Sequence, residues 1–486
     1  RGAPKAAPRR GGTTLPPLCR PPADMSANFT LAVAEELARQ TAALRNIDAF
    51  FLVSLGTLVF FMQVGFALVE AGSVRAKNVK NILLKNMLDS CISALFWWGI
   101  GSGAAFGDSG SPSGNVFIGT ATQGPQGFFA AGWGSVESQA DGYTMARWMF
   151  QYGFAAAAST IVSGAVAERA QVQAYIIYTL VITSIIYPVV VHWLWCDNGF
   201  LAGGYSRSKD LTILGGALDF AGSGVVHMTG GIAAFCGTFF MGPRIGRFEA
   251  NGDVVPMPGN SAPLVVLGTF ILWMGWYGFN SGSTMGIVGE GKGTIMARSA
   301  MCTTLAAAGG GLSAVLLERI VTKVYDLSSC CNGILAGLVG VTAGAAYLLP
   351  WAAFVIGCVA GFLCIWSSYL LLKLRIDDPL GAVAIHGVCG IWGLLAVGLF
   401  AYPAYTSMAW DDGSEASSYC GIVYGCGMLF AAQVVAIIMI ILWVGGLASG
   451  LFWLLRVCHL LRVSEEVEIG GLDTLQIRWR RVHAFR

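Results

Sequence analysis

Charge is scarce in this chain. Only 12% of its 486 residues are Asp, Glu, Lys or Arg, about half of what a soluble globular domain carries. That shortage excludes an ordinary soluble domain. No basic patch suited to nucleic acid is present. Neither a Walker phosphate loop nor a dinucleotide glycine fingerprint appears, so nothing points to nucleotide-driven chemistry or to a cofactor. The 13 cysteines are not spaced as metal ligands. Cys330-Cys331, Cys196 and Cys420 form no such set and read as small buried hydrophobes. Histidine is nearly absent, with 5 in the whole chain. His192 reads as lying near a helix end, and His459 and His483 fall in the C-terminal tail. Two remain for the apolar interior.

What is there is apolar. Hydrophobic residues make up 55% of the chain, with 65 glycines among the rest, and membrane helices use glycine for close packing. The fold class is an all-α polytopic membrane protein. Stretches long enough to span a bilayer lie at roughly 48–70, 82–106, 147–166, 173–196, 223–241, 262–283, 296–317, 332–349, 351–373, 380–401 and 424–457, about eleven transmembrane helices. Residues 1–46 read as an extracellular N-terminal segment, with 1–24 a disordered basic tail or sequence upstream of a true start at Met25. Residues 47–457 form the transmembrane domain, and 458–486 a cytoplasmic tail. Basic residues set orientation. With the N-terminus out, the inner loops hold Arg75, Lys77, Lys80, Arg169, Arg244, Arg247, Arg319, Lys323, Lys373 and Arg375, against Arg147, Arg207, Lys209, Lys292 and Arg298 outside. The C-terminus is therefore expected inside. The sequon at Asn28 fits that orientation.

The two interior histidines occupy matching places. Asp219 precedes His227 by eight residues, with Gly231-Ile232 following; Asp378 precedes His386 by eight, with Gly390-Ile391 following. Both fit acidic-x7-His-x3-Gly-Ile. Helix five enters from outside near Asp219 and helix ten from inside near Asp378. Eight residues advance ~12 Å along a helix, so both imidazoles fall near the middle of a ~30 Å hydrocarbon core. That predicts an inverted repeat of helices 1–5 and 6–10 around a central pore, with helix eleven as an outer brace. A single buried histidine is ordinarily satisfied by a backbone carbonyl. A matched pair can instead hydrogen-bond to each other and offer nitrogens to a small polar solute or pass a proton. A metal site would want a third ligand, and none is in sight. Phe150 opens helix three, Trp195 closes helix four and Phe279 closes helix six, with Ser283 a turn beyond. Interfacial aromatics often only face lipid, but such rings also attract a cation.

Several segments carry a family resemblance. Gly65 to Asn78 (GFALVEAGSVRAKN), Ala167-Glu168-Arg169, Gly216 to Gly222 (GALDFAG), Gly275 to Ser283 (GWYGFNSGS) and Asp377-Asp378-Pro379 through His386-Gly387 resemble the ammonium transporter family, which includes the methylammonium permeases and Rhesus glycoproteins. The resemblance covers about 47–473. It implies an ammonium transmembrane transporter, not an enzyme, needing no cofactor or metal. It implies an outer ammonium site of Phe150, Trp195 and Ser283 with Asp219 nearby, a stacked gate of Phe150 and Phe279, and pore histidines His227 and His386. It further implies a homotrimer in the plasma membrane. The presence of Trp195 and Ser283 favours this branch over a Rhesus-type neutral gas channel. The short tail argues against an ammonium sensor with an appended signalling domain. A membrane-embedded hydrolase would need a nucleophile or metal beside the histidines. The chain departs from the family pattern after Asp473, where the usual His-Gly stretch is replaced, and at Gly381, where many relatives place an acidic residue.

Overall fold

The structure, a computed structural model, describes residues 2, 23–107, 114–119, 142–203, 212–409 and 419–475. The expectations for residues 3–22, for Arg207 and Lys209, and for the tail beyond 475 lie outside the described residues. The chain divides into two units, residues 1–46 and 47–486. The first holds the beginning of helix α1 (Ala23–Ser73), and the second holds all that follows.

Eleven apolar helical segments are present among the described residues. After α1 come α2 (Val79–Phe96, continued by a π-helical turn at Trp97–Gly101 and by Ser102–Phe106) and α3 (Gly142–Ala165). Then follow α4 (Val172–Trp195), α5 (Ser223–Met241), α6 (Ala262–Gly282) and α7 (Lys292–Thr322). The last are α8 (Leu327–Thr342), α9 (Pro350–Lys373), α10 (Val383–Phe400) and α11 (Met428–Val457). Eight of them are long and apolar enough to cross a membrane by themselves. α8 has 16 residues, shorter than the 332–349 stretch suggested by composition. It stops at Thr342 because its last carbonyls are used elsewhere. Phe220 N donates to Ala343 O at 2.9 Å, and Ala221 N to Thr342 O at 3.2 Å. Backbone polar groups inside a membrane must find partners within the protein, and here a broken helix end satisfies the unwound stretch ahead of α5.

The two halves match in detail. Ahead of α5, the Asp219 carboxylate accepts from the backbone N–H groups of Gly222, Gly224 and Val225 at 3.1, 2.9 and 2.8 Å. Ahead of α10, the Asp378 carboxylate accepts from Ala382 and Val383 at 3.0 and 2.8 Å. Each acidic residue caps a helix N-terminus, where orphan donors and the helix dipole favour a negative group. Gly222 (φ 107°) and Gly381 (φ 75°) make the turns between. The φ of Gly381 explains the departure noted there, since a side chain is strained in that conformation. Each capped helix opens with a π-helical turn, Ser223–Met228 and Val383–Val388, carrying one histidine. α5 and α10 cross backbone to backbone at Gly231 and Gly390. A Cβ on Gly231 would stand 2.1 Å from Gly387 N, and one on Gly390 would stand 2.6 Å from Ser223 O. These are the motif glycines, and close approach is why neither has a side chain.

The inner face is tied by buried ions. Arg244, after α5, donates to the Asp377 carboxylate at 2.8 and 3.0 Å and meets Glu168 at 3.4 Å. Arg75, after α1, also pairs with Glu168. Arg462 pairs with Glu468 at 2.9 Å, and the Asp473 carboxylate caps α2 through Lys80 N and Asn81 N. Burial would raise the Asp377 carboxyl, but the Arg244 fork and the nearby Arg169 hold it at about 2, against an ordinary 3.8. A depressed folded value contributes stability that is present above the unfolded value and is lost as pH falls through the folded one. The shift corresponds to about 2 kcal/mol. Detergent-purified protein is expected to keep a constant melting temperature between pH 5 and 8 and to lose it below about pH 4. Asp377→Asn should lower the plateau and flatten the acid limb. A wild-type acid limb unchanged in the variant would refute the assignment.

Candidate functional site

The ends of α4, α6 and the capped loop before α5 converge on the outer face. A cavity of about 250 Å³ opens there, lined by Trp195, Ser283, Phe220, Tyr143, Gln151, Arg147 and Asp197 among others. Trp195 is fixed by its indole N–H, which donates to Asp219 O at 2.6 Å. Asp219 therefore works twice: its carboxylate holds the backbone ahead of α5, and its carbonyl holds the indole. The carboxylate itself is spent on the backbone. Ser283 donates its hydroxyl to Phe279 O at 2.9 Å, which leaves its oxygen lone pairs facing the cavity as acceptors.

Beneath the cavity lies a column of rings. The edge of the Trp195 indole meets Phe154, with ring centroids 5.8 Å apart at 81°. The ring stacked on Phe279 is that of Phe154, at 3.9 Å and 23°, and not that of Phe150 as the resemblance implied. Phe150 lies one turn away on α3 and packs against Phe154 at 4.8 Å. Both phenylalanines belong to one helix face, four residues apart, so the resemblance pointed to one of two chemically equivalent rings and the packing uses the other.

Below Phe279 stand the histidines. His227 and His386 are buried, with their Nδ1 atoms 3.2 Å apart and rings 5.2 Å apart at 21°. One Nδ1 must donate and the other accept, so the pair fixes opposite tautomers and presents one bare and one protonated Nε2. The Nε2 of His227 has no partner among the described residues. Trp276 stacks on His227 at 5.0 Å and 16°, held by its own N–H to Thr342 Oγ1 at 2.9 Å. Phe66 covers His386 at 6.3 Å. The pair is thus walled by aromatic carbon, with its ring edges as the polar exceptions. Toward the inner face a second cavity of about 510 Å³ includes Asp378, Leu380 and Gly381 in its lining.

His192 stands in the last turn of α4, near the helix end as read from the sequence, but it is fully buried, its ring nitrogens 2.9 Å from Ala105 O and 2.7 Å from Asn115 O, and so ties the loop at Asn115 to the end of α2. Cys420 is disulfide-bonded to Cys426. The spacing of six did not suggest a pair because the segment between reads as the start of a helix, whereas α11 begins only at Met428. No group of three or more His, Cys, Asp or Glu suited to a metal occurs among the described residues.

The sequence model of the Ammonium Transporter Family matches residues 49–479. Ammonium transporter 1 member 3 of Solanum lycopersicum is 41% identical over 437 residues, covering 88% of this chain and 91% of that protein. Ammonium transporter Amt2 of Archaeoglobus fulgidus is 38% identical over 431 residues, covering 88% and 86%. Among solved structures, a sensor Amt protein superposes with a TM-score of 0.77 at 32% identity, covering 90% of this chain and 99% of its own. Mep2 of Candida albicans gives a TM-score of 0.72 at 28% identity, covering 87% of each.

Proposed function

The chain belongs to the Ammonium Transporter Family and transports ammonium; from that premise we propose the route the ion takes through the structure. Ammonium enters the outer cavity and rests on the Trp195 face, donating to the Ser283 hydroxyl. A cation over an indole face gains about 0.5–2 kcal/mol, and the hydroxyl favours an ion that can donate hydrogen bonds. Below this site the walls are aromatic carbon, and a full charge cannot be carried there cheaply. The ion gives up a proton and passes as ammonia between Phe154 and Phe279. The bare and protonated edges of the histidine pair then supply one acceptor and one donor to the neutral molecule. Potassium has no proton to lose, so the same column rejects it.

The single observation that carries this reading is the unbroken order of Trp195, Phe154, Phe279, His227 and His386 leading inward from the outer cavity. The Cys420–Cys426 disulfide lies in the connection after α10, on the face of Trp195. Disulfides persist in oxidising surroundings, which supports that face as external and the N-terminus as outside. A plasma-membrane homotrimer with one pore in each subunit is the assembly we propose, with residues 458–486 as its cytoplasmic tail.

The test is current in a voltage-clamped cell expressing the chain, with potassium as the control ion. A saturable ammonium current without a potassium current is expected. Trp195→Ala should raise the half-saturating concentration about tenfold, from the lost ring attraction. Growth of a transport-deficient host on ammonium without current would mean neutral ammonia conduction. Silence in both assays, with protein at the surface, would favour the sensor reading and refute this one.

A further inference from the structure

A second polar path runs beside the pore, through the first half of the molecule. The buried face of α2 carries Lys85, Asp89, Ser93 and Trp97 at successive turns, followed by Ser102. From Lys85 to Ser102 the helix advances ~25 Å, most of a hydrocarbon core. Asp89 and Ser93 are joined through the Ser159 hydroxyl of α3 and are bonded to α4. The Asp89 carboxylate accepts from Ser159 and Thr179, each at 2.9 Å, and from Thr160. Ser93 links Ser159 at 3.1 Å to Thr183 at 3.3 Å. One turn toward the inner face, the Glu70 carboxylate accepts from Asn86 at 2.6 Å and from Ser163. Tyr175 of α4 is fully buried, and its hydroxyl has no hydrogen-bond partner among the described residues. Lys85 ends the path, donating to Ala170 O at 2.9 Å on the inner loop.

At the outer end the path meets the ammonium vestibule. A cavity of about 10 Å³ lies between Trp97, Ser102, Gln151 and Arg147, near the room one water needs. Gln151, Arg147 and Asp197 also line the vestibule. Four side chains that line the small cavity carry a buried polar atom without a partner among the described residues: Trp97 Nε1, Trp148 Nε1, Gln151 Oε1 and Arg147 Nε.

A purely structural network would not need ions. The second half of the molecule is built on the same plan, yet the spans of α6 to α10 bury Arg298 and no carboxylate or lysine. Ionisable groups inside a membrane bundle are costly and mark proton or ion paths. We propose that this off-pore chain carries the proton released by ammonium. Ammonium leaves one proton on water at the vestibule end and continues as ammonia through the histidine pore. The proton moves down the hydroxyls to Asp89, which becomes a carboxylic acid and releases it toward Glu70. Glu70 passes it on at the Lys85 end, and both carboxylates return to their starting state. One proton and one ammonia cross for each ammonium bound, by separate routes.

This rests on the transport reading, and its test separates the two. The purified full chain is placed in proteoliposomes, and charge movement and internal pH are recorded after an ammonium pulse. Wild type is expected to move charge. Asp89→Asn and Glu70→Gln should each lose tenfold or more of that charge while ammonia still enters, seen as a rise in internal pH. Asp89→Glu should restore the charge. Variants that keep wild-type charge for each ammonium taken up would overturn the relay, as would variants that lose charge and ammonia entry together. Wild type moving ammonia without charge would overturn the relay alone. Wild type moving neither would overturn transport itself.

Discussion

Asp219→Ala is expected to cut ammonium uptake about 100-fold or more, although the side chain lies off the route we propose for the ion. The Asp219 carboxylate holds three backbone N–H groups, and its removal leaves all three buried. Each unsatisfied donor costs about 1–3 kcal/mol, and a factor of ten in rate or affinity needs about 1.4 kcal/mol. The stretch they belong to also presents the carbonyl that fixes the Trp195 indole. Losing the cap therefore loosens the outer site and the entry of α5 together. Asn at this position keeps one acceptor oxygen and should retain part of the activity, with a loss of about tenfold. Uptake of labelled methylammonium in a transport-deficient host, with surface protein quantified, makes the measurement. Asp219→Ala within threefold of wild type would show that the cap has no such role.

Much of this architecture was legible because the membrane imposes strong rules. Apolar runs of spanning length have few alternatives, and the structure shows helices at all eleven places. The paired acidic-x7-His motifs gave the inverted relation of α5 and α10, since an eight-residue step fixes depth. What was not legible depended on side-chain choice among equivalents. Phe150 and Phe154 present the same chemistry from the same helix face, and only tertiary packing decides which ring meets Phe279. The early end of α8 followed from a need in another segment, where Phe220 and Ala221 required acceptors. Lys85 and Asp89 were visible as charges four residues apart in an apolar stretch, which was the available signal for the network of α2. In sequence it reads as part of a spanning helix, because the partners on α1, α3 and α4 are brought to it only by folding. Gly381 looked like a missing acid, but its backbone conformation gives it a positive reason.

The motif glycines lead to the second large effect, a contrast between two glycines at one crossing. Gly231→Ala is expected to abolish transport, with a loss of about 100-fold, whereas Gly387→Ala should stay within about threefold. A methyl on Gly231 would come within 2.1 Å of Gly387 N and 2.3 Å of Gly387 Cα. Those are backbone atoms of α10, so no rotamer change can relieve the overlap and the helices must part. Overpacking a tight core costs about 1–3 kcal/mol even when side chains can adjust. A methyl on Gly387 points elsewhere, 3.4 Å from the nearest atom of Gly231, an ordinary contact. The crossing also sets the 3.2 Å separation of His227 and His386, because each histidine sits on the turn that meets the opposite helix. Parting the helices by even 1 Å breaks that hydrogen bond and frees both tautomers. Uptake and surface expression measured for both variants decide the matter. Equal activities would mean that the crossing is not what holds the histidine pair, and that their spacing is set by the Trp276 and Phe66 rings on either side.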